Sequence, residues 1–389
     1  MKTNYTDFPL METKNKSYPL FYPYVSKKSI KSVPNVLKTR WIGQGPLVDK
    51  FEEIFKKKFA PTNECLAVGS GTDALHLAYI LANIKKNDEV IAPVFTCTAT
   101  NIPLLYIGAK IKFADIDPNT MNISIDHVKK LITKKTKAII FVNYGGVPCN
   151  LIELKKLKEK YNLTLIQDAA QSLGSKVGKK HITEFADFTI FSFQAIKHIT
   201  SGDGGMLTFK NKKLLEKSRR IRWFGIDREK KQGGTWENDI TEIGYKYQMT
   251  DIGARMLLDS IQDFAKIFLH RKKIFNIYKK ELSKNKNIKV IDTPDINLSN
   301  SYWLCTIILK DNRIKLQNYL RKLKIETNQV HFRNDRYKIF KKFVKKNNFP
   351  NMKKYENNYL VIPLNIKISI KDAYYIASCI NKFFKYENN

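Results

Sequence analysis

Lys197 is where a chemical reading of this chain starts. It stands in SFQAIKHITSGDGG, residues 192–205, just past an apolar run from Phe188 to Phe193 and just before a glycine-rich turn. The run reads as a buried strand. An amine at the exit of a buried strand is partly desolvated, loses proton affinity and becomes a usable nucleophile. A Schiff base with an aldehyde requires such an amine. Lysine is abundant here, so Lys197 carries meaning only in company.

The company is two further groups. Asp168, in TLIQDAAQSLGS (164–175), closes another apolar run. A carboxylate at a strand end is costly unless a cation pairs with it, and a protonated pyridine nitrogen is such a cation. The competing reading of Asp168 is a helix N-cap without a ligand. In VGSGTDALHLA (68–78) a strand runs into a Gly-Ser-Gly turn and then into a helix beginning near Thr72. Backbone N–H groups at a helix start, with glycines that let an anion come close, suit a phosphate. Thr72 is also a candidate cap for that helix. The turn is neither a Walker A loop nor a G-x-G-x-x-G fingerprint. A fourth stretch, GYKYQMTD (244–251), has no chemical meaning by itself.

These groups must be positioned by a scaffold. From about residue 60 to 210 short β-rich runs alternate with amphipathic stretches: CLAV then TDALHLAYILANI, EVIAPVF then TATNIPLLYIG, KIKFADI then IDHVKKLI, AIIFVNY then LIELKKLKEKYN, followed by LTLIQD, FTIFSF and GMLTF. Such alternation predicts an α/β fold with a mostly parallel sheet. In such sheets ligands sit beyond the carboxyl ends of the strands. The polar stretch 226–240 reads as a loop. A long helical region, about 250–285, reads as the link to a smaller α+β part. There SYWLCTIIL and NYLVIPL read as strands, IKLQNYLRKL and IKDAYYIASCINKFF as helices.

The bulk composition narrows the classes. The chain has 389 residues, 43% of them apolar, as expected for a globular protein. No apolar run approaches the roughly eighteen residues of a membrane span, and the opening twenty residues have no continuous apolar core of a signal peptide. A cytoplasmic protein without membrane contact is expected. Five cysteines with no C-x-x-C pair argue against a zinc site or a disulfide framework. The formal charge of +33 raises a nucleic-acid partner, but a phosphate footprint is a cluster. Here FKKKF (55–59), KKTK (134–137), KKLKEK (155–160) and KKFVKK (341–346) spread the charge over the whole length. The expectation is no nucleic acid, with a regulator that binds it as a remote alternative.

The order of a phosphate turn, an aspartate on a strand end and a lysine at the next strand's exit is the layout of a pyridoxal phosphate (PLP) enzyme. On the words WIGQGPLVDKFEEIF (41–55), GSGTDALHLA (69–78), DAAQSLGS (168–175), SFQAIKHITSGDGG (192–205) and GYKYQMTDIGA (244–254), the chain resembles the DegT/DnrJ/EryC1/StrS family of sugar aminotransferases. The resemblance implies an aspartate-aminotransferase-like, fold type I architecture. Residues 1–260 are then an N-terminal arm and a large PLP-binding domain with a mixed, mostly parallel sheet. Residues 261–389 are a linker helix and a small C-terminal domain.

By the same resemblance Lys197 forms the Schiff base with PLP and later moves a proton, and Asp168 pairs with the pyridine nitrogen. Gln171 lies near the ring's 3′ oxygen. Gly71, Thr72 and Ser192 contact the phosphate. Phe95 stacks on the ring, its other reading being core packing at a strand end. Lys246 stands where many members have asparagine and reaches the phosphate from a partner subunit, in a homodimer with shared active sites. In QVHFRNDRY (329–337) His331 and Arg333 are candidates for the substrate's diphosphate or the donor's carboxylate. No metal is implied.

Three positions depart from the family's pattern: Asp203 in GDGG replaces a glutamate, no tyrosine follows Tyr144 in VNYGGVP, and Lys246 replaces the asparagine. The implied reaction moves an amino group from L-glutamate to a nucleotide-linked keto-deoxysugar. The product, an amino-deoxysugar nucleotide, would serve glycan or polysaccharide synthesis. The alternative within the family is a PLP-dependent sugar dehydratase, in which a histidine replaces the lysine; His198 is adjacent to Lys197.

Overall fold

In a computed structural model, residues 16–227, 240–344 and 349–386 are described. Two helices come first, α1 (Lys27–Val36) and α2 (Pro46–Phe59). Pro46 opens α2, where a missing N–H costs nothing. Val48, Phe51, Phe55 and Phe59 recur every three or four residues along α2 and are buried, which docks one apolar face on the sheet. Strand and helix then alternate as expected: β1 (Glu64–Val68), α3 (Gly71–Leu81), β2 (Glu89–Pro93), α4 (Thr98–Ile107), β3 (Lys110–Ala114), α5 (Ile125–Leu131), β4 (Thr136–Val142), α6 (Leu151–Tyr161) and β5 (Thr164–Asp168). Two short strands, β6 (Lys176–Val177) and β7 (Lys180–His181), precede β8 (Phe188–Ser192), β9 (Gly205–Phe209) and α7 (Leu215–Arg222).

Seven of these strands form one sheet in the order β1-β9-β8-β5-β4-β2-β3. β9 runs antiparallel to both its neighbours, and the other pairings are parallel. Helices cover both faces, so the strands are buried on both sides and read as continuous apolar runs. Alternate residues feed opposite cores. Ala138 and Ile140 of β4 pack with Leu66, Val68 and Leu75. Ile139 and Phe141 pack with Phe51, Phe55 and Phe193.

The expected loop at 226–240 lies outside the described residues over 228–239. The expected long helical region is two helices, α8 (Asp251–Ser260) and α9 (Phe264–Leu282). At the break, Asp263 accepts hydrogen bonds from Tyr24 (2.7 Å) and Ser26 (2.9 Å). Neither glycine nor proline marks that break in the sequence, so it could not be read there.

The C-terminal part adds β10 (Ile288–Val290), β11 (Leu298–Ser299), β12 (Cys305–Leu309), α10 (Arg313–Lys322), α11 (Pro350–Tyr355), β13 (Tyr359–Ile362) and α12 (Ile370–Tyr386). β10, β12 and β13 form an antiparallel sheet. β11 joins β6 and β7 in a small ribbon. A separate core gathers Phe275, Tyr278, Ile307, Leu360, Ile376 and Ile380. The strand expected over SYWLCTIIL begins only at Cys305. Residues before it fold back instead, with Ser301 N donating to Gly146 O and Trp303 N to Gly145 O. Cys65, Cys149, Cys305 and Cys379 are buried and Cys97 is exposed, all as free thiols. Among the described residues no helix is long and apolar enough to cross a membrane.

Candidate active site

The sheet brings the chemical residues to one edge. β1, β5 and β8 point the same way, so Val68, Asp168 and Ser192 end side by side. Gly205 of β9 pairs with Val68 on one side and Ser192 on the other. A Cβ on Gly205 would lie 2.2 Å from the carbonyl oxygen of Ser70, so this close approach needs a glycine. The Gly-Ser-Gly turn therefore closes onto Ser192, and a Cβ on Gly71 would lie 2.9 Å from the Cβ of Ser192.

The helix after this turn starts at Gly71 and is capped by Ser70, whose hydroxyl accepts from Asp73 N at 3.0 Å. The reading of Thr72 as the cap is thereby corrected. Ser70 has the extended backbone of a cap residue, and Thr72 already lies in the helix. Among the described residues no acceptor meets the backbone N–H groups of Gly71 and Thr72. They are orphan donors at a helix N-terminus, suited to an anion. Beside them burial raises Asp73 to about 6.

Asp168 is buried at the end of β5. No helix follows it. Its Oδ1 accepts from Ala170 N at 3.0 Å, two residues on, and its Oδ2 accepts from the Thr100 hydroxyl at 2.7 Å. The helix-cap reading is thus replaced by a local turn plus a long-range hydroxyl. Burial pushes its pKa up, while Thr100, the Ala170 N–H and the charge of Lys197 pull it down. Thr96 shares a hydroxyl hydrogen bond with Thr100 at 2.9 Å. Nothing in the spacing of these threonines singles them out.

Lys197 and Asp168 are near enough for each charge to act on the other. Burial lowers the Lys197 amine to about 8, against the opposing pull of Asp168. The amine lies 4.1 Å from the ring centroid of Trp303, and among the described residues it makes no hydrogen bond. Trp303 was read as part of a strand, and the folding back described above is what places it here. His198 turns the other way. It is buried and its Nε2 meets the carbonyl of Ser301 at 2.7 Å.

Gln171 and His331 complete the interior. The amide oxygen of Gln171 accepts from Gly145 N at 2.7 Å, and its nitrogen lies 3.1 Å from His331 Nε2. Burial and the nearby Lys197 lower His331 to about 3, so its imidazole is neutral. Gly145 holds φ at +65°, a conformation that disfavours a side chain. Phe95 is 2% exposed and packs against Tyr144, Tyr359 and His331 at 5.1 to 6.0 Å.

Two expected residues stand apart. Lys246 is exposed, with its amine 4.9 Å from the Trp223 ring and 5.6 Å from that of Phe224. Its neighbour Tyr247 supports the turn instead, accepting from Gly69 N at 2.7 Å. Arg333 is 8% exposed and forms a two-pronged pair with Asp335 (2.7 and 2.8 Å) and a third bond to Glu356 (2.9 Å). Its guanidinium is thus held within the fold by two carboxylates. Asp203 is exposed on the turn after Lys197. Among the described residues no group of three or more His, Cys, Asp or Glu side chains could hold a metal ion.

The residues present fit PLP. A buried acid with spare lone pairs, a desolvated amine without a hydrogen bond and an unfilled helix N-terminus converge on one sheet edge.

Comparison with known proteins agrees with this geometry. The chain is 32% identical to GDP-perosamine synthase of Escherichia coli O157:H7 over 323 residues, covering 82% of this chain and 85% of that protein. It is 28% identical over 363 residues to UDP-4-amino-4,6-dideoxy-N-acetyl-beta-L-altrosamine transaminase of Campylobacter jejuni, covering 92% and 94%. The solved structure of Spr1654 from Streptococcus pneumoniae in its PLP form matches with a TM-score of 0.88 at 25% identity, covering 95% and 99%. The fold is thus type I, as expected. Since the family's model matches residues 23–381, the chain belongs to the DegT/DnrJ/EryC1/StrS aminotransferase family.

Proposed function

We infer that this chain is a PLP-dependent aminotransferase that moves an amino group from L-glutamate to a keto-deoxysugar carried on a nucleoside diphosphate. The observation that carries this is a buried Lys197 amine close enough to the buried Asp168 carboxylate for each to shift the other's acidity, with the Gly71 turn packed against Ser192 nearby. The relatives named above, a GDP-sugar enzyme and a UDP-sugar transaminase, support the substrate class.

The roles follow from the residues' chemistry. The backbone of Gly71 and Thr72 with the Ser192 hydroxyl would hold the cofactor's phosphate, and Lys246 of a partner subunit would add a positive charge. Asp168 would accept the ring N–H and keep that nitrogen protonated. Gln171 would meet the ring's 3′ oxygen, and Phe95 would cover one face. The cofactor, when bound, supplies an aldehyde that exchanges amines and an electron-poor ring that takes up charge from a carbanion. Lys197 anchors it, and once displaced by the donor carries a proton to and from the reacting carbon. The burial that lowers Lys197 makes its free amine available near neutral pH. A homodimer with shared sites and a division into domains at 260/261 belong to this reading.

The dehydratase alternative is disfavoured by one contact. His198 is committed to the Ser301 carbonyl, while the Lys197 amine is free of hydrogen bonds among the described residues and feels the charge of Asp168. The test is to load the purified protein with PLP, reduce it with borohydride and map the modified peptide. It is then incubated with glutamate and a panel of 4-keto and 3-keto sugar nucleotides, with products identified by mass and NMR. Cofactor fixed at residue 197 and an aminated sugar nucleotide are expected. Cofactor fixed elsewhere, or a deoxygenated sugar without nitrogen, would overturn the reading.

A further inference from the structure

Trp303 is buried, with 2% of its surface exposed. A buried indole needs a partner for its N–H, and Nε1 donates to Ile196 O at 3.1 Å. Ile196 is the residue before Lys197, and the Lys197 amine lies 4.1 Å from the centroid of the same ring. One side chain thus holds both the backbone beside Lys197 and the amine itself. The indole in turn is fixed by its surroundings. Trp303 N donates to Gly145 O at 3.1 Å, and Trp303 O accepts from Arg271 Nη1 at 3.2 Å. Arg271, buried on α9, also donates to Leu364 O at 2.7 Å. Phe21 stacks on the indole with ring centroids 5.9 Å apart. Just before it, Tyr302 holds φ at +58°, a conformation that costs strain in a bulky residue, and its N–H is tied to Asn300 Oδ1 at 2.7 Å.

A buried ammonium is costly unless something answers its charge. Among the described residues the Lys197 amine makes neither a hydrogen bond nor an ion pair. Asp168 acts on it from outside contact distance, and the two carboxylate oxygens already accept from Thr100 and Ala170 N. The face of Trp303 answers the charge in another way. An indole face attracts a cation within about 6 Å of its centre. Unlike a carboxylate, it cannot take the proton away.

We propose that Trp303 is the positioning residue of the proton-carrying amine: once the donor displaces Lys197, its ammonium rests against the indole face until it returns the proton. This inference rests on the cofactor reading above. In that reading Nζ takes a proton from the reacting carbon as a neutral amine and gives it back as an ammonium, so both forms must be within reach. Burial favours the neutral form. The ring face favours the charged one. Their opposition keeps the amine titratable while the Ile196 contact keeps its backbone in place.

The full-length protein without cofactor is pulse-labelled with trace acetic anhydride across the titration range of amines. Acetylation of Lys197 is read by peptide mass spectrometry. Trp303→Phe keeps a π face and Trp303→Leu does not, while both open space to water. The Lys197 midpoint should lie lower in Trp303→Leu than in Trp303→Phe by about half a pH unit or more. A merely structural role would move the two variants together. Equal midpoints, or a higher one in Trp303→Leu, would overturn the proposal. Where Trp303→Leu fails to fold, a polyfluorinated tryptophan incorporated throughout the chain keeps the ring's N–H and weakens its face. The Lys197 midpoint should then fall below that of the unfluorinated protein, and an unmoved midpoint would overturn the proposal. Borohydride reduction of the PLP-loaded protein tests the cofactor reading separately. Midpoints that split as expected, with no cofactor fixed at residue 197, would overturn that reading and leave the ring's hold on the amine standing. Cofactor fixed there with equal midpoints would do the reverse.

Discussion

The amide nitrogen of Gln171 donates to Nε2 of His331 across 3.1 Å, because Gly145 N already occupies the amide oxygen. The imidazole must then carry its proton on Nδ1 and remain neutral. A neutral ring brings no charge to a diphosphate or carboxylate, and the contact gives His331 a means of orienting Gln171.

Replacing His331 by alanine should therefore lower kcat/KM about tenfold, the worth of one well-placed hydrogen bond. It should also move the pH dependence of the bound cofactor's visible band, which a purely structural defect would leave alone. His331→Asn, which can still accept from the amide, should restore part of both. An unmoved spectral titration would refute the coupling.

Lys197 yields a pH prediction. Its amine falls from the ordinary 10.5 to about 8, through burial. Between these two values the unfolded chain binds a proton that the folded chain does not, so the cofactor-free protein gains stability as pH rises across that window. Below about 8 both states are protonated and the contribution is flat. PLP capture should climb about tenfold per pH unit below the midpoint and then level off. Asp168 raises the amine, so Asp168→Asn should shift the midpoint lower. Stopped-flow capture rates decide this, and a midpoint near the ordinary lysine value would contradict it.

Thr100 donates to Asp168 Oδ2 at 2.7 Å. Thr100→Val keeps the shape and deletes the donor. Asp168 should then become harder to ionise, and PLP should dissociate roughly tenfold faster, the cost of one lost hydrogen bond to a charged group. Cofactor release followed by absorbance measures it. Release at the wild-type rate would show that Thr100 does not tune the acid.

Arg333 separates structure from binding. Arg333→Met leaves Asp335, 8% exposed, without its cation and Glu356, 12% exposed, with Arg336 alone. The expected loss is about 3 kcal/mol or more in urea unfolding. A loss under about 1 kcal/mol together with a raised KM for the sugar nucleotide would return Arg333 to the substrate site.

Much of this was legible in the order of residues. The strands ending at Val68, Asp168 and Ser192 appear as apolar runs, since strands buried on both faces carry few polar residues. The tight Gly-Ser-Gly turn and the lysine at a strand exit are equally local. What stayed hidden involves partners far apart in the chain. Gln171 and His331 are 160 positions apart, and Thr100 and Asp168 are 68. Trp303 reached Lys197 because a segment read as strand folds back onto Gly145 and Gly146.

The amino-acid sequence by itself determined the alternation of strands and helices and which residues end each strand. Hydrophobic period and turn chemistry are local, and they suffice for that. Tertiary structure put the Lys197 amine within electrostatic reach of Asp168 and tied His198 to the Ser301 carbonyl. It also paired the guanidinium of Arg333 with Asp335 and Glu356. Burial and pairing set those outcomes, and both depend on packing between segments that no local pattern records.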